Sequence, residues 1–253
     1  ETDEGIVGWG EAYTQLDRDR NIERPVNELT RHLLGWDPFQ IKRFTQMIYD
    51  DFAGRRGSMD LYCAQSALEQ ALWDIVGKSL GTPVHNLLGG GCRDRIRVYA
   101  NGWYAGADTP ERYAELALTT IEKGFTALKF DPFPGPWRLY VDKEVERRAV
   151  ANVRAVREAV GEDVDLLIEV HRRLAPMHAI RVAQMLEEFA PFWYEEPVPA
   201  ENIEALAEGR AATHIPVVTG ETLYTKSAFR PVFEARAADA VSLSWSVGYP
   251  QIY

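Results

Sequence analysis

Hydrophobic positions follow two different patterns along this chain. In the first part, "SALEQALWDIVGKSLG" sets Leu68, Leu72, Ile75 and Val76 at helical spacing, which predicts a core helix with Ser66 as N-cap and Gly81 as stop. Before it, "ETDEGIVGWGEA" reads as the second arm of a hairpin, and a Pro-interrupted helical region follows. "TPVHNLLGGG" then ends the segment in a short helical turn and three glycines, a natural boundary near residue 92. Beyond it, short apolar runs alternate with amphipathic stretches. The runs predict strands at 96–100, 126–130, 166–170, 192–194, 215–219 and 238–243. The stretches between them predict helices at 110–123, 142–160, 176–189 and 202–210. Repeated βα units with wholly apolar strands predict a parallel sheet covered by helices. A doubly wound sheet and a (β/α)8 barrel both satisfy that pattern. No Gly-rich phosphate loop follows the first strand to favour a dinucleotide fold.

The acids separate the two architectures. Glu169, Glu195 and Glu221 each fall at the C-terminal end of a predicted strand, at equal intervals of 26 residues. In a barrel these ends converge on one mouth. Strand alternation puts Leu167, Glu169 and His171 on one face, Trp193 and Glu195 on one face of the next strand, and Thr219 and Glu221 on one face of the third. Three converging carboxylates need a compensating cation, because their mutual repulsion would otherwise raise their pKa values. Oxygen-only ligation points to Mg²⁺. A single Glu at a strand end is more often a helix cap or a solvated side chain; three in step favour a shared ion.

Other polar residues gather at the same strand ends. "DLLIEVHRRL" places His171 two residues beyond Glu169 on the same face, where it overlooks the cation site. A guanidinium of Arg172 or Arg173 suits a substrate carboxylate or hydroxyl, and equally a neighbouring acid. Lys129, in "LKFDPF", ends its strand either beside the acids or in a structural ion pair. "NGWY", residues 101–104, closes the first strand and is expected to line the pocket or to pack as an aromatic cluster.

Bulk composition narrows the partners. The 253 residues are 46% hydrophobic and 26% charged, enough for a sizeable core in one large domain or two smaller ones. A net charge of -10 argues against nucleic-acid or anionic-membrane partners. Cys63 and Cys92 form neither a disulfide framework nor a zinc spacing and read as packing thiols. No apolar run approaches the roughly 18 residues of a membrane span, and no secretory signal is present, so a cytoplasmic location is expected.

The strings "GIVGWGEA", "ALEQALWDIVGKSLGTPVHNLLGG", "GFTALKFDPF", "LLIEVHRRL", "FWYEEPVP" and "IPVVTGETL" resemble the enolase superfamily, and within it the mandelate racemase-like sugar-acid dehydratases of galactonate/gluconate type. The resemblance spans nearly the whole chain. It implies an α/β fold with a (β/α)8-type barrel, incomplete in this chain, and an N-terminal α+β capping domain. Residues 1–92 would be the cap without its first strands, and 93–253 about six βα units of the barrel. It implies Mg²⁺ ligands at Glu169, Glu195 and Glu221, the first acid of the Glu195-Glu196 pair being chosen because it shares Trp193's face. The implied reaction is Mg²⁺-dependent dehydration of an aldonate to a 2-keto-3-deoxy acid through an enediolate, with a Lys or His base working beside the metal. His171 would be the acid that helps the 3-hydroxyl depart. Lys129 stands where the superfamily's racemases begin a Lys-x-Lys base motif, and Asp131 replaces the second lysine, which disfavours a two-base racemase. Lys129 is then expected to orient the substrate carboxylate or steady the metal acids. Asp131, Arg173 and Asn101 are expected to contact substrate, and a homo-oligomer is expected.

The chain also departs from the family pattern. Glu169 replaces the commoner Asp at the first ligand position, lengthening that arm by one methylene. An Asp is expected near position 244, where Ser244 stands, and two more strands should follow. The proton-abstracting His of the resembling dehydratases lies on the seventh strand, in a dyad with that sixth-strand Asp; neither partner is found. An open six-stranded fragment would expose sheet edges, so the expectation is a protein that continues past Tyr253, with a truncated inactive homologue as the alternative. An epimerase or cycloisomerase on the same scaffold, or a non-catalytic binder that has lost its base, are the competing functions.

Overall fold

A computed structural model of the chain describes residues 1–14, 17–133, 135–136, 138–199 and 201–243, and Ser244 lies outside them. The chain falls into two compact units: Glu1–Arg95 with Glu221–Ala228, and Ile96–Gly220 with Phe229–Ser242.

The first unit is helical among its described residues: α1 (Asp19–Leu33), α2 (Ile41–Asp51), α3 (Met59–Ser79) and the single turn α4 (Val84–Leu87). Its core is built from Ile22 and Leu29 of α1, Phe44 and Ile48 of α2, and Leu61, Cys63 and Ala64 of α3. Helix α3 begins eight residues earlier than its apolar period suggests. Ser58, not Ser66, is the N-cap, its side chain accepting from Leu61 N at 3.3 Å. Ser66 is buried within the helix. The predicted hairpin arm is not a strand here; it lies along α3. Trp9 N donates to Asp74 Oδ2 at 2.9 Å, Glu11 N to Gln70 Oε1 at 3.2 Å, and Lys78 Nζ to Val7 O at 2.7 Å. Gln70, Asp74 and Lys78 are spaced four apart, so one side-chain row on the helix satisfies the extended backbone. The approach is close enough that a Cβ on Gly8 would stand 2.1 Å from Ala71 O and one on Gly10 1.9 Å from Ala67 O, which explains the glycines flanking Trp9.

The second unit is an all-parallel sheet of β1 (Ala127–Phe130), β2 (Asp165–Glu169), β3 (Trp193–Glu195), β4 (Val217–Thr219) and β5 (Ala240–Val241). Helix α5 (Pro110–Ile121) precedes β1, and α6 (Lys143–Val160), α7 (Pro176–Leu186), α8 (Ile203–Ala211) and α9 (Lys226–Glu234) make the four crossovers. Strand order follows chain order, β1-β2-β3-β4-β5. A doubly wound sheet reverses direction at its switch point; a barrel wall adds each strand beside the last, as here. Leu128, Phe130, Leu166, Leu167, Ile168, Tyr194, Val217 and Val218 are buried, as strands covered on both faces require. The expected strand at 96–100 contributes only Ala100, bridged to Leu128, and Ile96 is 83% exposed. Without a covering partner its apolar residues gain nothing from strand geometry.

Candidate metal centre

Glu169 and Glu195 are the last residues of β2 and β3 and stand opposite one another in the register, so two carboxylates leave the sheet side by side. Both are almost fully buried. Lys129, on β1, reaches across to them: its Nζ lies 2.6 Å from Glu195 Oε1 and 2.8 Å from Glu169 Oε2. Glu221 arrives by a different route. Strand β4 ends at Thr219, and Gly220, at φ +128°, turns the chain so that the next residue joins the same rim. A Cβ at Gly220 would sit 2.7 Å from Ser242 O, so only glycine fits that turn. One oxygen each of Glu169, Glu195 and Glu221 lie within 4.8 Å of one another. Oxygens around a single divalent cation, at about 2.1–2.5 Å from it, are separated by roughly 3–5 Å, so the trio has the span of a coordination shell.

Charge gives the same answer. Burial and then the neighbouring Glu169 push the Glu195 carboxyl up to about 7, against the pull of Lys129. Burial alone would lower the Lys129 ammonium's pKa, but Glu169 and Glu195 together hold it above the ordinary lysine value. Lys129 is thus a single ammonium shared by two buried carboxylates, Glu169 and Glu195. Glu195 Oε2 is buried and makes no hydrogen bond, a cost that a cation ligated there removes. The donor set, all carboxylate oxygens with no imidazole or thiol, suits a hard ion. The residues therefore fit a divalent metal.

The turn after β2 is strained and firmly held. His171 and Arg172 both take the left-handed conformation, at φ 53° and 59°. Glu169 Oε1 accepts from the backbone N–H of Val170 at 3.1 Å and of His171 at 2.9 Å, while Arg172 N donates to Glu196 O at 2.7 Å. The extra methylene of a Glu at position 169 lets one oxygen fold back onto the turn while the other faces Lys129. His171 is half-buried, with Nδ1 2.8 Å from Asp131 Oδ2.

The remaining sequence-predicted residues are placed as follows. Asp131 is buried, with Oδ1 accepting from Phe133 N at 2.9 Å and Oδ2 shared by His171 and Arg173. Arg173 is buried too, its guanidinium turned toward Asp131 and Phe133 O. Asn101 is exposed, and its Oδ1 accepts from Gly102 N at 2.9 Å. Trp103 was expected only as pocket lining or packing, yet its Nε1 donates to Lys129 O at 2.9 Å while its ring packs on Phe130, fixing the end of β1. Glu196, set aside as a ligand in favour of Glu195, has a supporting place that the sequence does not indicate. It is buried at φ 50°, and its Oε1 accepts from Thr219 Oγ1 at 3.0 Å and Gly220 N at 2.7 Å, which anchors the turn leading to Glu221. The only sequence signal was a second acid directly after an apolar strand.

Residues 1–89 match the mandelate racemase / muconate lactonizing enzyme N-terminal domain, and residues 112–246 match the enolase C-terminal domain-like family. A D-gluconate dehydratase of Thermoproteus tenax is 42% identical over 88% of this chain and 44% of its own length. A D-gluconate/D-galactonate dehydratase of Picrophilus torridus is 37% identical over 94% of this chain and 60% of its own. The chain thus spans between two fifths and three fifths of these relatives. Among solved structures, a member of the enolase superfamily from Salmonella Typhimurium superposes with a TM-score of 0.91 at 29% identity, covering 98% of this chain and 69% of that one. A mandelate racemase/muconate lactonizing enzyme from Jannaschia sp. CCS1 gives 0.89 at 33% identity, covering 98% and 67%.

Proposed function

Because the chain belongs to the mandelate racemase/muconate lactonizing enzyme family of the enolase superfamily, we propose that it carries the metal site and the proton donor of a sugar-acid dehydratase that converts an aldonate to a 2-keto-3-deoxy acid with Mg²⁺. The observation that carries the reading is the cluster of Glu169, Glu195 and Glu221 with His171 two residues beyond the first of them. In the overall change a C2–H bond and a C3–O bond break, water leaves, and the resulting enol becomes the ketone. Mg²⁺, bound by the three glutamates, would make the proton beside the substrate carboxylate acidic and hold the negative charge that its removal creates.

Three of the chain's own residues take part. Lys129 holds Glu169 and Glu195 at one height and adds positive charge where the substrate carboxylate would sit. His171, facing the same rim, delivers a proton to the departing 3-hydroxyl. Asn101, exposed just after Ala100, would meet substrate hydroxyls. The base that takes the C2 proton is not assigned to a described residue. Asp131 in place of a second lysine supports elimination over two-base racemisation.

Keto-acid formation by the intact protein across a panel of aldonates with Mg²⁺ tests the reading. Turnover of a gluconate- or galactonate-type acid is expected, abolished by EDTA. Absence of turnover on the whole panel, or a His171→Ala protein that keeps full rate, overturns it. Deuterium entering substrate from solvent with no loss of water would indicate epimerisation instead.

A further inference from the structure

Asp131 is the conspicuous polar residue of this rim without a task in the reaction above. It follows Lys129 by two residues at the end of β1, yet it lies behind His171 with both oxygens engaged. A carboxylate offers acceptors only, so in the 2.8 Å contact between His171 Nδ1 and Asp131 Oδ2 the proton belongs to Nδ1. Arg173 Nη2 also approaches Nδ1, at 3.3 Å, and as a donor it would demand the opposite tautomer. The shorter, charge-assisted contact decides in favour of Asp131. Nε2 lies across the ring and therefore points away from the carboxylate.

The surroundings make this arrangement rigid. Arg173 pairs with Asp131 inside the protein, so the acid stays an acceptor without adding net charge beside the imidazole. Phe133 N holds the other oxygen. From the opposite side, Glu169 Oε1 fixes the backbone of His171 in its left-handed turn. Ring and backbone are thus secured by different partners, the usual way a protein sets one nitrogen of a histidine.

We infer that Asp131, braced by Arg173, is a positioning residue that keeps a proton on Nδ1 of His171, so that the proton given to the departing hydroxyl leaves from Nε2 of the imidazolium and the neutral Nδ1–H form remains. This assigns Asp131 and Arg173 to the orientation of the proton donor instead of to direct contact with substrate, and it rests on the dehydratase reading above.

The test is ¹⁵N-histidine NMR on the intact protein, recorded with the ring neutral, alongside steady-state kinetics. The wild-type spectrum should show a protonated Nδ1 at His171. Asp131→Asn, whose amide can donate where the acid only accepts, should shift His171 toward the Nε2–H form and lower kcat about 100-fold, with KM changed no more than about threefold. A wild-type His171 in the Nε2–H form, or an Asp131→Asn spectrum identical to wild type, overturns the inference. Should Asp131→Asn fail to fold, the wild-type spectrum still decides, and Arg173→Lys supplies the kinetic arm. His171→Ala with full turnover would sink the dehydratase reading while leaving the tautomer result standing, so the two failures are distinguishable.

Discussion

Replacing Arg157 by alanine should loosen the two strands that carry the first two acids. Arg157 lies in the last turn of α6, and its guanidinium donates Nη1 to Gly161 O and Val164 O, both at 2.7 Å, Nε to Phe189 O at 3.0 Å, and Nη2 to Ala190 O at 3.3 Å. These carbonyls belong to the turn entering β2 and the turn entering β3, so one side chain ties the starts of both strands together. Gly161 and Ala190 are exposed and water replaces the lost donor there. Val164 and Phe189 are buried, and each of their orphaned acceptors costs about 1–3 kcal/mol. Burial already lowers the Arg157 pKa, a sign that its own desolvation offsets part of the gain. The net loss on Arg157→Ala is then about 2–4 kcal/mol, a large share of the roughly 5–15 kcal/mol that holds a domain together. Arg157→Lys should recover about half, since a compact ammonium cannot span acceptors on both turns. Urea unfolding of the intact protein measures this as a lower midpoint at constant slope. A variant within about 0.5 kcal/mol of wild type, or Lys performing as well as Arg, would refute the reasoning.

Three further outcomes follow from single residues. Lys129→Met strands two buried carboxylates and should cost about 3–5 kcal/mol without metal; thermal melts in EDTA and in Mg²⁺ should show a larger metal-induced rise for the variant than for wild type. Gly220→Ala places a methyl against Ser242 O at a φ that disfavours side chains, so about 1–3 kcal/mol of strain is expected together with weaker Mg²⁺ binding by calorimetry; unchanged affinity would separate Glu221 from the site. Glu69 is buried in α3, and burial raises its carboxyl pKa. The folded state therefore holds that proton more tightly than the unfolded chain. Its contribution is complete below the unfolded pKa and is lost as pH rises through the folded one. Glu69→Gln should thus melt higher than wild type at about pH 8, with the gap closing toward about pH 4, and a gap that widens in acid would contradict the sign.

Local chemistry was legible without coordinates. Equal spacing of Glu169, Glu195 and Glu221 at the ends of apolar runs predicted neighbouring carboxylates, because a βα repeat returns each strand to the same height. Helices such as Lys143–Val160 were predicted to within a residue, since their apolar period is long enough to outweigh local noise. Boundaries that depend on neighbours were not legible. The start of α3 moved to Met59, because residues 61–66 are buried on every side and carry no apolar period. The stretch 96–100 is strand-like in composition but has a partner only at Ala100.

What the sequence determined by itself, then, is the set of chemical groups and the rim on which they fall, because strand period and repeat length are properties of the chain alone. What only the tertiary structure decided is which groups face each other. Lys129 meets Glu195 across 66 residues, and Asp131 meets His171 across 40. Glu221 reaches the rim by way of the Gly220 turn, which Glu196 holds. Such pairings arise when separate segments are packed to contact distance, and no periodicity along one segment encodes the direction of a side chain toward another.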